Sequence, residues 1–167
     1  PGTLALAVTY ALGENGLFTV EIRAKTDRAT VCNPVHQTYW NLGGHDSGDV
    51  LGHRLAFSSD FYTPVDAELL ATGEIRSVAG TPFDFRSPKT IGADLARIEN
   101  PGGGLSADAA GGYDHNFVLR GDVGAMKLCV RAADPKSGRG MELTTSEPGV
   151  QFYTGGYLEP SIVGKGG

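Results

Sequence analysis

Leu4-Ala-Leu-Ala-Val-Thr-Tyr10, Gly13-Glu-Asn-Gly16 and Phe18-Thr-Val-Glu-Ile-Arg-Ala24 together decide the fold class. Leu4, Leu6, Val8 and Tyr10 alternate with small or polar residues, and so do Phe18, Val20, Ile22 and Ala24. A period of two on both sides of a glycine-bounded turn predicts an amphipathic β-hairpin. Further short runs repeat the pattern along the chain. Strands are expected at residues 54–57, 117–119, 126–132, 141–145 and 150–154, with Asp134-Pro-Lys-Ser-Gly-Arg139 turning between two of them. Residues 31–42 read as another extended segment ending at Gly43-Gly44. Residues 62–66 and 71–75 read as a turn and a short strand. Residues 80–86 form an aromatic, proline-punctuated stretch whose ladder bonding would be confined to an edge. Residues 91–98 are the one expected helix, short, with Ile91, Leu95 and Ile98 on one face. A polar loop is expected at 45–53 and a flexible glycine-rich one at 100–112.

Composition agrees. The 167 residues suffice for one domain with a core, and 40% are hydrophobic, as in an ordinary globular protein. The 25 glycines and 9 prolines suit strands and turns better than helices. The expectation is one all-β domain over 1–167, without repeat or internal linker. A formal net charge of -5 argues against a nucleic acid or an anionic membrane as partner, since both favour a basic patch. No basic-then-apolar leader and no bilayer-length apolar run occur in the sequence. Cys32 and Cys129 lie in no disulfide framework and are expected as buried, reduced thiols.

Chemistry-bearing residues concentrate in three places. Asn33-Pro-Val-His-Gln-Thr-Tyr-Trp-Asn-Leu42 places an imidazole, an amide and two aromatic rings in one stretch. Rings beside hydrogen-bonding groups suit a sugar, which has apolar C–H faces and a rim of hydroxyls. In Gly112-Tyr-Asp-His-Asn-Phe117, Asp114 and His115 project to opposite faces if extended, so that one meets a ligand while the other anchors the loop. An Asx-type turn with a structural His is the plainer reading. In Glu147-Pro-Gly-Val-Gln-Phe-Tyr-Thr-Gly155, Gln151 and Tyr153 share one face of a strand and Phe152 takes the other. Other motifs fail. Gly164-Lys-Gly-Gly167 has Glu159 where a phosphate loop needs glycine, and no Ser or Thr follows the lysine. His45 and His53, flanking Asp46 and Asp49, match no metal-ligand spacing, so no metal is expected. No G-x-S-x-G nucleophile elbow occurs.

Taken in order, these segments resemble the aldose 1-epimerases, or galactose mutarotases. The matching stretches are Pro1-Gly-Thr-Leu4, Thr38-Tyr-Trp-Asn-Leu42, Tyr62-Thr-Pro-Val-Asp66, Thr72-Gly-Glu-Ile75, Gly80-Thr-Pro-Phe-Asp-Phe-Arg86, Gly112-Tyr-Asp-His-Asn-Phe117, Ser137-Gly-Arg139 and Pro148-Gly-Val-Gln-Phe-Tyr-Thr-Gly155. The resemblance covers essentially the whole chain. It implies a large antiparallel β-sandwich, here truncated at both ends to a middle portion, and a cytoplasmic enzyme acting on free aldohexoses such as galactose or glucose. In the family's reaction a carboxylate takes the proton of the anomeric hydroxyl while an imidazolium protonates the ring oxygen. The ring opens and recloses on its other face, with no cofactor.

Carried over residue by residue, Asp114 matches the Asp that binds sugar hydroxyls and Gln151 a sugar-contacting Gln. Tyr39 matches an aromatic position beside the acid. The family's acid is the His just before the Thr/Ser-Tyr-Trp/Phe-Asn-Leu run. That position holds Gln37, and the imidazole is one residue earlier, at His36. A shift of one residue on a regular strand turns a side chain to the opposite face, which favours Gln37 facing the sugar. A bulge would return His36 to the catalytic role. The resemblance places a second active-site His before Pro1 and the catalytic Glu beyond the last residues, and neither Glu147 nor Glu159 matches that Glu. A non-catalytic sugar-binding module holding a hexose through Tyr39, Asp114 and Gln151 is the alternative, and a decayed remnant without function the third reading. A sugar phosphate would need clustered cations, and Arg54, Arg86, Arg97, Arg120 and Arg139 are scattered in sequence, so the free sugar is preferred.

Overall fold

The computed structural model describes residues 1–66, 68–98, 112–156, 158 and 161–164. Most of the expected glycine-rich loop at 100–112, Glu159 and the last three residues lie outside them. The chain divides into two compact units, Pro1–Trp40 and Asn41–Gly167.

The first unit contains the expected hairpin. Strands β1 (Leu4–Leu12) and β2 (Phe18–Thr26) pair antiparallel from Leu4 opposite Thr26 to Leu12 opposite Phe18. This register sets Leu6, Val8, Tyr10 and Leu12 on the same face as Ala24, Ile22, Val20 and Phe18. At the turn the Gly13 N–H donates to Leu17 O at 2.8 Å, and Gly16 takes a φ of 76°, a conformation that glycine adopts without strain. Residues 27–41 form no strand, contrary to the expectation for 31–42. Pro34 offers no N–H to a ladder, and His36 and Trp40 make side-chain contacts instead. Cys32 in this stretch is exposed, not buried; Cys129 is buried, and both are free.

Among the described residues the second unit holds two four-stranded antiparallel sheets. Its strands are β3 (Arg54–Phe57), β4 (Ser59–Thr63), β5 (Arg76–Ser77), β6 (Lys89–Thr90), β7 (Asp114–Leu119), β8 (Lys127–Ala133), β9 (Gly140–Thr145) and β10 (Gly149–Tyr153). Their orders are β10-β7-β4-β5 and β6-β3-β8-β9. The chain passes from one sheet to the other at Ser58, whose N–H donates to Cys129 O while its carbonyl accepts from the Arg120 N–H, both at 2.9 Å. The register of β4 on β7 shifts between Ser59 and Phe61. Such an irregularity bends a strand at a sandwich corner. The strand at 59–63 escapes the sequence pattern because its first residue is a buried serine, its hydroxyl bonded to Val118 O at 2.6 Å.

Rings fill the space between the sheets. Phe57 of β3 meets Phe117 of β7 edge-to-face at 4.6 Å and Phe152 of β10 at 5.5 Å. The stretch at 80–86 contributes no strand at all. Its turns, closed by Thr81 on Val78 O and by Asp84 on Thr81 O, send Phe83 and Phe85 into the core. Phe85 also returns a carbonyl to the Phe57 N–H at 2.8 Å. The expected helix is a 3-10 helix, Ile91–Arg97, with Ile91 and the following Ile98 buried and Leu95 packed partly against them. No helix among the described residues is long and apolar enough to cross a membrane.

Candidate functional site

Alternation along β7 sorts its side chains. His115, Phe117 and Leu119 are buried, whereas Asp114, Asn116 and Val118 are only partly so. On β10, Val150 and Phe152 pack against the core. The register sets Gln151 opposite Asn116 and Tyr153 opposite Asp114. Asp114, Asn116, Gln151 and Tyr153 therefore share the outer face of the sheet. There the Gln151 Nε2 donates to Asp114 Oδ1 at 2.8 Å. Two residues separated by 37 positions, each a sugar-binding candidate on sequence grounds, are thus one hydrogen-bonded pair. Among the described residues nothing else bonds Asp114 Oδ2, Gln151 Oε1 or the second amide N–H. Acceptors and a donor side by side are what a hydroxyl needs, since each hydroxyl both donates and accepts.

His115 takes the anchoring role. It is 7% exposed, its ring lies 4.5 Å from Phe83 and 6.0 Å from Tyr62, and its Nδ1 accepts the Asp114 N–H at 3.1 Å. The backbone bearing Asp114 is held by the very next side chain. Burial pushes the His115 imidazole below its ordinary value of 6.5, with Asp114 opposing the shift. An unfolded chain titrates near that ordinary value. Below it the unfolded state holds more protons than the folded one, so stability falls as pH drops through 6.5. The urea midpoint is expected to decrease between about pH 7 and about pH 5, and to decrease less in His115→Phe. Equal decreases in the two proteins would show that another group is responsible.

The remaining candidates lie in the first unit. His36 Nε2 is 2.7 Å from the Thr38 hydroxyl, and its ring sits 5.7 Å from Tyr10 and 6.3 Å from Phe18. Trp40 meets Phe18 edge-on at 6.1 Å. His36, Thr38 and Trp40 thus keep a period of two although no ladder forms, with the imidazole against the aromatic face of the hairpin. The intervening Gln37 and Tyr39 are exposed.

Asp49 Oδ1 accepts the Leu51 N–H in a local turn, and His53 alone in the loop at 45–53 is buried, with Nδ1 3.1 Å from Val50 O. Among the described residues no three His, Cys, Asp or Glu side chains gather as metal ligands. Each of the scattered arginines has a partner, and two of them meet in space. Arg54 donates to Pro88 O, Arg97 pairs with Asp94, and Arg139 donates to Leu42 O and Gly43 O. Arg86 and Arg120 converge on Asp60, with Asp84 holding Arg86 as well. An open hollow of about 460 Å³ beside Arg86 and Lys89 is balanced by Asp84 and Asp94, and neither Asp114 nor Gln151 lines it.

Residues 1–166 match the family model described as Aldose 1-epimerase. The chain belongs to the aldose 1-epimerase family. Along its whole length this family member is 38% identical to galactose mutarotase of Homo sapiens, of which it spans 45%. Among solved structures it is similar to an aldose epimerase homologue from C. elegans, at a TM-score of 0.63 and 28% identity over 90% of this chain and 42% of that one. It is likewise similar to galactose 1-epimerase from Lactobacillus acidophilus NCFM, at a TM-score of 0.63 and 31% identity over 80% of this chain and 36% of the other. The chain therefore spans under half the length of the relatives it matches.

Proposed function

We propose that the protein to which this chain belongs is an aldose 1-epimerase that handles free aldohexoses, galactose or glucose, in the cytoplasm. The Gln151–Asp114 hydrogen bond carries the reading of this chain's share of the work. A carboxylate and an amide fixed together on an exposed sheet face hold neighbouring sugar hydroxyls. The engagement of each arginine with a carboxylate or carbonyl supports a free sugar over a sugar phosphate, which needs unspent cationic donors. No cofactor takes part in the proposed reaction.

The acid step is where the chain departs from its family. Gln37 stands at the acid's position and His36 rests on the hairpin, which supports Gln37 as the group directed to the sugar. An amide N–H hydrogen-bonds the ring oxygen without giving up its proton. That observation favours a second reading, in which this chain contributes sugar binding and no catalysis. Polarimetry of fresh α-D-galactose with the 167-residue chain tests both. No acceleration over buffer is expected, together with galactose binding that Asp114→Ala weakens about tenfold, the loss of one charge-assisted hydrogen bond. Acceleration abolished by His36→Ala would overturn the assignment of Gln37. Unchanged binding in Asp114→Ala would overturn the hydroxyl-binding pair.

A further inference from the structure

Gly112 and Gly149 stand two residues before Asp114 and Gln151, in Gly112-Tyr-Asp114 and Gly149-Val-Gln151. With a period of two, Gly149 presents a bare position on the outer face beside Gln151. Neither glycine has a positive φ, so backbone conformation does not demand glycine at either place. Space does. A methyl at position 149 would overlap the Asn116 Oδ1, and one at 112 would overlap the Thr154 Oγ1. We propose that Gly112 and Gly149 are positioning residues for the Asp114–Gln151 pair, each admitting a side chain from the opposite strand that locks one end of the β7–β10 ladder. The proposal rests on the hydroxyl-binding reading of that pair.

At the Gly149 end, Asn116 lies directly opposite Gln151. Its carboxamide leans over Gly149, and its Nδ2 reaches Thr63 Oγ1 on β4 at 3.4 Å. Parked there, it leaves the Asp114 carboxylate to Gln151. A Cβ on residue 149 evicts the carboxamide into another staggered well. Its two N–H donors then compete with Gln151 for Asp114, its neighbour two residues back on the same face. At the Gly112 end, the Thr154 hydroxyl oxygen accepts the Tyr113 N–H at 3.0 Å, while the Thr154 N–H donates to Tyr113 O at 2.9 Å. These bonds close the ladder one residue before Asp114. With His115 on the Asp114 N–H, the backbone of the carboxylate is fixed on both sides.

The side-chain amide resonances of Gln151 in the 15N-labelled chain, assigned through Gln151→Glu, report the pair directly, and Asp114→Ala supplies their position when it is broken. Gly149→Ala is expected to move them most of the way to that broken position and to weaken galactose binding about tenfold. Adding Asn116→Ala removes the overlap and returns both readouts towards the unsubstituted values. At the other end Thr154→Val displaces the resonances and Thr154→Ser, which keeps the hydroxyl, does not. Folded Gly149→Ala with unmoved Gln151 resonances overturns the proposal, and so does a double variant that stays displaced. If Gly149→Ala fails to fold, the double variant must fold; its failure counts against the proposal equally. Should galactose shift no resonance of the unsubstituted chain, the hydroxyl-binding reading fails, while the amide comparison, which needs no sugar, still decides the positioning role.

Discussion

Phe117→Ala is expected to lower the unfolding free energy by about 3–5 kcal/mol, a large part of what a domain of this size possesses. Phe117 is 0% exposed, on a strand flanked by β10 and β4, opposite Val150 on one side and Tyr62 on the other. Its ring is the meeting point of the two sheets, 4.6 Å from Phe57, 6.3 Å from Phe85 and 6.4 Å from Phe83. Truncation forfeits the transfer term of a fully buried aromatic ring. It also leaves a cavity whose walls, backbone-paired on both sides, have little freedom to collapse. The edge contact with Phe57 adds about 0.5–1.5 kcal/mol beyond burial. Phe61, whose pairing partner Val118 adjoins Phe117 on β7, is 45% exposed, and its truncation is expected to cost far less. Denaturant midpoints of the two variants, read with their slopes, make the comparison. A loss for Phe117→Ala no greater than for Phe61→Ala would mean that the two sheets do not share the core described.

The contrast between those two phenylalanines shows where sequence reading stops. Strict alternation announced β1, β2 and β3, and it placed Asp114 and His115 on opposite faces before any register was known. It did not reveal β4, because the strand begins just past a sheet-to-sheet corner with Ser59, whose buried hydroxyl is satisfied by a carbonyl 59 residues away. Phe83 and Phe85 were visible as aromatic residues among prolines. That they plug the core depends on the bond from the Phe57 N–H to Phe85 O, which no local pattern encodes. Cys32 was expected inside on residue type alone, yet it sits in a stretch without ladder partners, and type says nothing of that. At the candidate site, residue identities pointed to Asp114 and Gln151 separately. Their bond follows only from the antiparallel register of β7 and β10. The glycines at 112 and 149 were legible as letters of a motif, but their reason, two side chains lying across them, is a property of the paired strands.

Gln37→His carries the largest expected effect on activity. A general acid contributes about 10²–10⁴ in rate, and an amide in its place retains only a hydrogen bond to the ring oxygen. The imidazole one residue earlier is a poor substitute where it stands. To protonate a sugar, His36 must release the Thr38 hydroxyl at 2.7 Å and leave the rings of Tyr10 and Phe18. The period-two arrangement of His36, Thr38 and Trp40 means that a single-residue adjustment would disturb all three. In a chain completed at both ends with the corresponding segments of a mutarotase relative, Gln37→His is therefore expected to raise the mutarotation rate of galactose by about 10²–10⁴. The gain should follow an imidazole-like pH profile. His36→Ala in the same background is expected to change the rate little. The opposite pattern, an active completed chain that loses its activity with His36 and gains nothing from a His at 37, would place the acid on His36 and require the segment to rearrange when sugar binds.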